Sequence, residues 1–153
     1  FHVVISVHAL HFAVDPVATL AEWLRITVPG GRLSLSVPGP RSTLSFKIYN
    51  PIYRRYGLAR RVEVPTRAKL IAWARAAGWR HIDIEADPDT TIRLAGPDTF
   101  ERWMLTGSRS GAVHLLSPER FARFEAELLA VTPIGPGGML HVPFGTLYLT
   151  ART

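Results

Sequence analysis

Six histidines, a set of aromatic rings and many arginines are the chemical resources of this chain, which has no cysteine. His8 and His11 stand three positions apart, and an imidazole titrates near neutrality, so His11 could orient an acceptor hydroxyl or take its proton. A loop histidine that only packs against the next helix fits the same spacing, and both readings stand at this point. His8-x-x-His11 alone makes no metal signal, and His81, His114 and His141 read as surface or lid residues. Tyr49, Tyr53, Tyr56, Phe100 and Trp103 could wall an apolar pocket, and Arg102 or Arg109 could hold a carboxylate in bidentate fashion. Ordinary packing would use the same rings. Gly135-Pro136-Gly137-Gly138 is no Gly-rich cofactor turn, because it does not lie between a strand and a helix start. Without cysteine this chain has no disulfide framework, thiolate metal site or thiol nucleophile.

These groups need a scaffold, and 153 residues at 47% hydrophobic and 20% charged suffice for one core. The formal charge is +6. From Arg41 to Arg80 there are ten Lys or Arg and one acid, Glu63, after which Asp83, Glu85, Asp87 and Asp89 follow. A basic stretch attracts anions, nucleic acid among them, but sixteen Arg against two Lys also fits a composition bias expressed on a solvated face. No apolar run approaches the ~20 residues of a membrane span, and no basic segment opens a signal peptide, so a soluble cytoplasmic protein is expected. Phe1 to Val7 reads as the inside of a buried strand, and further residues are expected before it.

Asp15-Pro16 starts a helix, with Asp15 as cap and Pro16 at the first helical position. Val17, Leu20, Leu24 and Val28 follow at helical spacing up to Pro29-Gly30-Gly31. Leu33, Leu35 and Val37 then alternate with Arg32, Ser34 and Ser36 in a second strand, completing a right-handed strand–helix–strand unit in a parallel sheet. No clean period runs from Arg41 to Pro65, where a short helix around Phe46 to Tyr53 is the most that the pattern supports. Thr66 caps a helix that Gly78 ends. Ile82 and Ile84 mark a strand with one wet face, helices are expected from Asp98 to about Thr106 and from Ser117 to about Val131, and a strand or strand pair from Met139 to Ala151.

Phe1-His2-Val3-Val4-Ile5-Ser6, Ala9-Leu10-His11-Phe12, Asp15-Pro16, and Leu20, Glu22, Arg25 with Pro29-Gly30-Gly31-Arg32-Leu33 form an ordered pattern. It resembles the run from strand 4 to strand 5 of small-molecule S-adenosylmethionine-dependent methyltransferases of class I. Leu70 to Gly78-Trp79 resembles that family's entry into strand 6, and Thr99 to Arg152 more loosely its helical lid and last strand in members that methylate small carboxylic acids. His2 stands where the family often has Asp. The resemblance implies an α/β, Rossmann-like fold, here as a partial sheet of strands 4-5-7-6 with strand 7 antiparallel, plus a helical lid. It implies that residues 1–153 are the carboxy-terminal half of one methyltransferase domain, with 41–65 and 93–138 as substrate-side insertions. The Gly-rich turn after strand 1 and the ribose-binding acid after strand 2 are then expected on a missing amino-terminal half.

S-adenosylmethionine is the cofactor so implied. Ser6, Val7 and His8 would lie beside its methionine part, His11 near the mouth of the site as a catalytic candidate, and Tyr49, Tyr53, Arg102 and Trp103 around a small-molecule acceptor. No metal is implied. The expected function is methyl transfer to that acceptor, with this fragment inactive alone. The alternative is a noncatalytic methyltransferase-like module that binds a partner or a second copy through an unpaired strand edge. A nucleic-acid role has the basic stretch but no motif to support it.

Overall fold

The computed structural model describes residues 1–39, 42–58, 64–88, 91–105 and 113–153, and side chains at all of these except 42–46 and 103–105. Arg109 therefore lies outside the described residues. In chain order the elements are β1 (Val3–Val7), α1 (Pro16–Arg25), β2 (Arg32–Pro38), α2 (Ser42–Arg55), α3 (Arg67–Ala76), β3 (Arg80–Asp87), β4 (Thr91–Leu94), α4 (Pro97–Leu105), α5 (Pro118–Val131), β5 (Leu140–Pro143) and β6 (Thr146–Arg152). They form two compact units: Phe1–Thr43, Val62–Thr90 and Phe144–Thr153 make the first, Leu44–Arg61 and Thr91–Pro143 the second.

Local chemistry sets the element ends. Asp15 accepts the Ala18 N–H at 2.9 Å, Thr66 that of Lys69 at 3.2 Å and Ser117 that of Arg120 at 3.4 Å, so each helix start satisfies an otherwise orphaned donor. At the end of α3, Gly78 adopts φ +95°. Its N–H donates to Arg75 O and that of Trp79 to Ala74 O, both at 3.0 Å, the paired bonds of a Schellman motif. Gly31 has a different duty: a Cβ there would lie 2.9 Å from Val28 O and 3.1 Å from His2 O, so only glycine lets the chain pass this close to β1.

In the first unit the sheet order is β1-β2-β6-β3. β1 and β2 are parallel, with Val3 beside Arg32 and Val7 beside Ser36. β6 runs antiparallel between β2 and β3, as expected of the last strand. Leu33, Leu35, Val37, Ile84, Leu147, Leu149 and Ala151 share one face and are buried with Leu20 of α1, Leu70 and Ala74 of α3, and Trp79. The Trp79 Nε1–H donates to Leu20 O at 2.9 Å and ties α1 to the start of β3. The register puts Val3, Ile5, Val7, Arg32, Ser34, Tyr148, Thr150 and Arg152 on the opposite face. Val3, Ile5 and Val7 are 51%, 71% and 70% exposed there, on a strand that among the described residues has a hydrogen-bonded neighbour on one side only.

The second unit departs from the sequence expectation in two ways. α2 runs fourteen residues with Pro51 inside it, where a short helix was expected; Tyr49, Ile52 and Tyr53 recur on one side of it and are buried, so core contacts outweigh the lost backbone donor. The expected helical lid, 93–138, is also flanked by a strand pair. Thr91 to Leu94 in β4 pairs antiparallel with Pro143 to Leu140 in β5, so the segment from Met139 to Ala151 divides between two sheets. Phe100, Phe124, Leu128 and Val142 fill the core of this unit. No described helix is long and apolar enough to cross a membrane.

One covered face gives an uneven response along a single strand. Leu149→Ala, at a fully buried position of β6, should lower the unfolding free energy by about 2–5 kcal/mol. Tyr148→Ala, 45% exposed on the other face, should lower it by less than about 1 kcal/mol. Urea unfolding of both variants measures this, and equal losses would contradict the assignment of faces.

Candidate active site

In a parallel pair both strands end at the same edge of the sheet, and open α/β sheets bind ligands beyond that carboxyl edge. β1 ends there at Val7 and β2 at Pro38. The ladder continues one step beyond β1, because the His8 N–H donates to Ser36 O at 3.0 Å and approaches Ser36 Oγ at 3.3 Å. His8 then turns the chain with φ +47°, a left-handed conformation uncommon for a residue with a Cβ. The reversed chain forms a 3-10 turn over Leu10–Phe12, anchored by Leu10, which is buried, before Asp15 starts α1.

This turn gathers polar groups. The His8 and His11 rings lie edge to face with centroids 6.4 Å apart. His8 also packs on Phe144 at 4.9 Å, and His11 on Phe12 at 3.9 Å. Ser6 Oγ, His8 Nδ1 and His11 Nδ1 are buried and have no hydrogen-bond partner among the described residues. Burial lowers the His8 imidazole below its ordinary value. Burial first, and the neighbouring His8 second, lower His11 to about 4. Both rings are therefore neutral at pH 7, each with one nitrogen able to accept and one able to donate.

The sequence-predicted residues fall into separate places. Ser6, His8 and His11 come together at the end of β1. Val7 is there too, but its side chain is exposed on the face opposite to Ser6, leaving its backbone for any contact in the site. Tyr49 and Tyr53 are core residues of the second unit: the Tyr49 hydroxyl pairs with Thr132 Oγ1 at 3.0 Å, and the Tyr53 ring meets Phe124 edge-on at 5.0 Å. Arg102 is exposed on α4, and the Trp103 side chain lies outside the described residues. Sequence reasoning missed Ser36 and Phe144. Ser36 looked like one more outward polar residue of an alternating strand, and nothing local links Phe144 to His8. No group of three metal-ligating side chains occurs among the described residues.

No protein-family model matches the chain, and no curated protein matches it in sequence. Solved structures do. A protein of Bacillus halodurans C-125 assigned as a methyltransferase is 18% identical with a TM-score of 0.56, and the match covers 99% of this chain and 64% of that one. The [4+2]-cyclase SpnF is 18% identical with a TM-score of 0.55, over 100% of this chain and 50% of its own. A SAM-dependent methyltransferase of Thermotoga maritima is 14% identical with a TM-score of 0.50, over 99% and 55%. The chain thus spans half to just under two thirds of these structures. At such identities the likeness shows the fold alone, the Rossmann-like α/β fold that these methyltransferase and cyclase structures share.

Neutral, buried imidazoles make stability depend on pH. Unfolded histidine titrates near 6.5, so with folded values depressed the unfolded chain binds more protons between about pH 6.5 and 4. Stability is then present above that window and lost as pH falls through it. The urea midpoint should fall between pH 7 and pH 4.5, and His11→Asn should flatten part of that fall. An unchanged slope in the variant would mean that this imidazole is not desolvated in the folded chain.

Proposed function

We propose that the carboxyl end of β1 is one wall of an S-adenosylmethionine-dependent methyl-transfer site that acts on a small molecule. The observation that carries the reading is the trio of buried, unpartnered polar atoms, Ser6 Oγ, His8 Nδ1 and His11 Nδ1, at the edge where this fold binds ligands. A buried polar group without a partner costs about 1–3 kcal/mol, so three in one turn favour a polar ligand there. The donor set fits the methionine part of the cofactor. Neutral imidazole and hydroxyl groups can pair with its ammonium and carboxylate, and they set no positive charge beside its sulfonium.

When bound, S-adenosylmethionine supplies an electrophilic methyl group. Ser6 and His8, with the Val7 backbone, bind and orient the methionine part, and the Phe144 ring against His8 limits water. His11 orients the acceptor. An imidazole titrating at about 4 is a weak proton store, so positioning contributes more here than general-base catalysis. A small carboxylic acid is the acceptor class proposed; the burial of Tyr49 and Tyr53 limits them to shaping the second unit. The remaining cofactor contacts, a Gly-rich turn and a ribose-binding acid, come from a segment that pairs along the free edge of β1, and residues 1–153 alone bind the cofactor weakly.

The apolar, one-sided edge of β1 favours a second reading, a noncatalytic module that holds a partner or a second copy along that edge. The cyclase likeness is a reminder that one fold hosts several chemistries.

In the protein as the cell makes it, His8→Ala should weaken S-adenosylhomocysteine binding about tenfold, equivalent to ~1.4 kcal/mol, as read by calorimetry. His11→Ala should lower turnover more than it lowers cofactor affinity. Absence of cofactor binding in the parent, together with binding of a partner that β1 substitutions abolish, would favour the noncatalytic module instead.

A further inference from the structure

At the opposite, amino-terminal edge of β2 the register aligns three arginines. Arg32 of β2 stands directly across from Arg152 of β6, and Arg152 across from Arg80 of β3. Neighbouring strands are about 4.8 Å apart, and like charges directly opposite one another destabilise a sheet. None of the three has an ion-pair partner among the described residues. A cavity of about 370 Å³ opens at this row, lined by Arg32, Arg152, His81, Ser34 and Thr150 and on its apolar side by Val3 and its neighbours. The ladder carries an extra residue between Arg80 and Asp83, and His81 within that irregularity adopts φ +48°, a second left-handed histidine. The bulge is the kind of local device that re-aims a side chain.

The geometry points to an anion site, and we infer that Arg32 and Arg152 with His81 bind a small phosphate-type oxyanion, such as a phosphate monoester or diphosphate, with Arg80 flanking Arg152 in the row. Guanidinium groups offer forked donors to such oxygens, and the Ser34 and Thr150 hydroxyls add two further donors. An anion between the arginines turns their mutual repulsion into attraction. The face also limits the size of the ligand. Across β6 from Arg32 and further along β3 stand Asp83, Glu85 and Asp87, and Val3 of β1 lines the cavity itself, so an extended polyanion would meet carboxylates beyond the row. This inference does not depend on methyl transfer, since the row lies at the other end of the strands from His8 and His11.

Calorimetric titration of the protein as the cell makes it with inorganic pyrophosphate at low ionic strength tests it. Saturable one-to-one binding is expected, weakened at least tenfold in Arg32→Gln and in Arg152→Gln and unchanged in Arg75→Gln, an exposed cation of α3 away from the row. Thermal unfolding gives a second readout with a distinctive sign. Without ligand Arg152→Gln should melt at the same temperature as the parent or higher, because a like-charge contact is relieved, and pyrophosphate should raise the melting temperature of the parent and of Arg75→Gln more than that of Arg152→Gln. The inference is overturned by absence of saturable binding, by equal weakening in all three variants, or by an Arg152→Gln variant that melts lower yet binds normally. A duplex oligonucleotide that binds through the same row more tightly than pyrophosphate, with a steep salt dependence, would overturn it in favour of a nucleic-acid surface.

Discussion

Burial of one face of the four-stranded sheet under α1 and α3 is the interaction on which the first unit depends. Each fully buried leucine removes apolar surface worth about 1.5–3 kcal/mol from water, and Leu33, Leu35, Leu147 and Leu149 occupy adjoining positions on that face. Because side chains alternate along a strand, fixing these residues inward fixes every neighbour outward. The positions of Ser34, Ser36, Arg32 and Arg152 thus follow from where the leucines must go. A slip of one residue in β6 would exchange Leu149 for Thr150, so the register that sets the arginine row is protected by core packing rather than by any polar contact.

The same constraint delivers the chain to the candidate active site. Gly31 admits β2 close beside β1, the parallel pair ends at one edge, and the His8 N–H to Ser36 O bond holds the turn against β2 as β1 stops. Leu10 anchors the 3-10 turn in the covered core. His8 and His11 are therefore half-buried by a scaffold whose apolar contacts are made elsewhere, and desolvation follows from that placement. An imidazole so placed loses basicity and gains value as an oriented neutral hydrogen-bonding group.

What was legible in the sequence was what short-range chemistry decides. Asp15, Thr66 and Ser117 cap helices because an oxygen three residues upstream meets an orphaned N–H, and Gly78 ends α3 because a left-handed residue is needed there; all four are readable from neighbours alone. The strand alternation of Leu33 to Val37 was equally open, and the resemblance carried the order of the strands. α2 was obscured by Pro51, whose local penalty is outweighed by burial of Tyr49, Ile52 and Tyr53. β5 falls within the strand pair expected from Met139 to Ala151, but β4 and its pairing with β5 were obscured because Thr91–Leu94 is short and its partner lies far along the chain. Of the site, His8 and His11 could be singled out by type and spacing, whereas Phe144 reaches His8 only through the fold, and Ser36 contributes its backbone carbonyl, a group that every residue has. The arginine row could not be found in sequence at all, since Arg32, Arg80 and Arg152 become neighbours only through the registers of β2, β6 and β3.

The two proposed sites on this sheet, one for a sulfonium cofactor and one for an anion, make opposite electrostatic demands, and their separation reconciles them. A sulfonium cofactor is disfavoured by nearby cations, while the chain carries a formal charge of +6. From Arg32 to Pro38 the strand rises roughly 20 Å at about 3.3 Å per residue. That is twice the screening length of about 8–10 Å at physiological salt. The arginines at the amino-terminal edge of β2 are thus electrically remote from the end of β1, where both histidines are held neutral by burial. Had His11 kept its ordinary basicity, a fraction of molecules at neutral pH would have carried a positive charge within contact distance of His8. Depressing its titration to about 4 removes that fraction, so the desolvation that weakens His11 as a base is also what keeps the carboxyl edge acceptable to a cationic ligand.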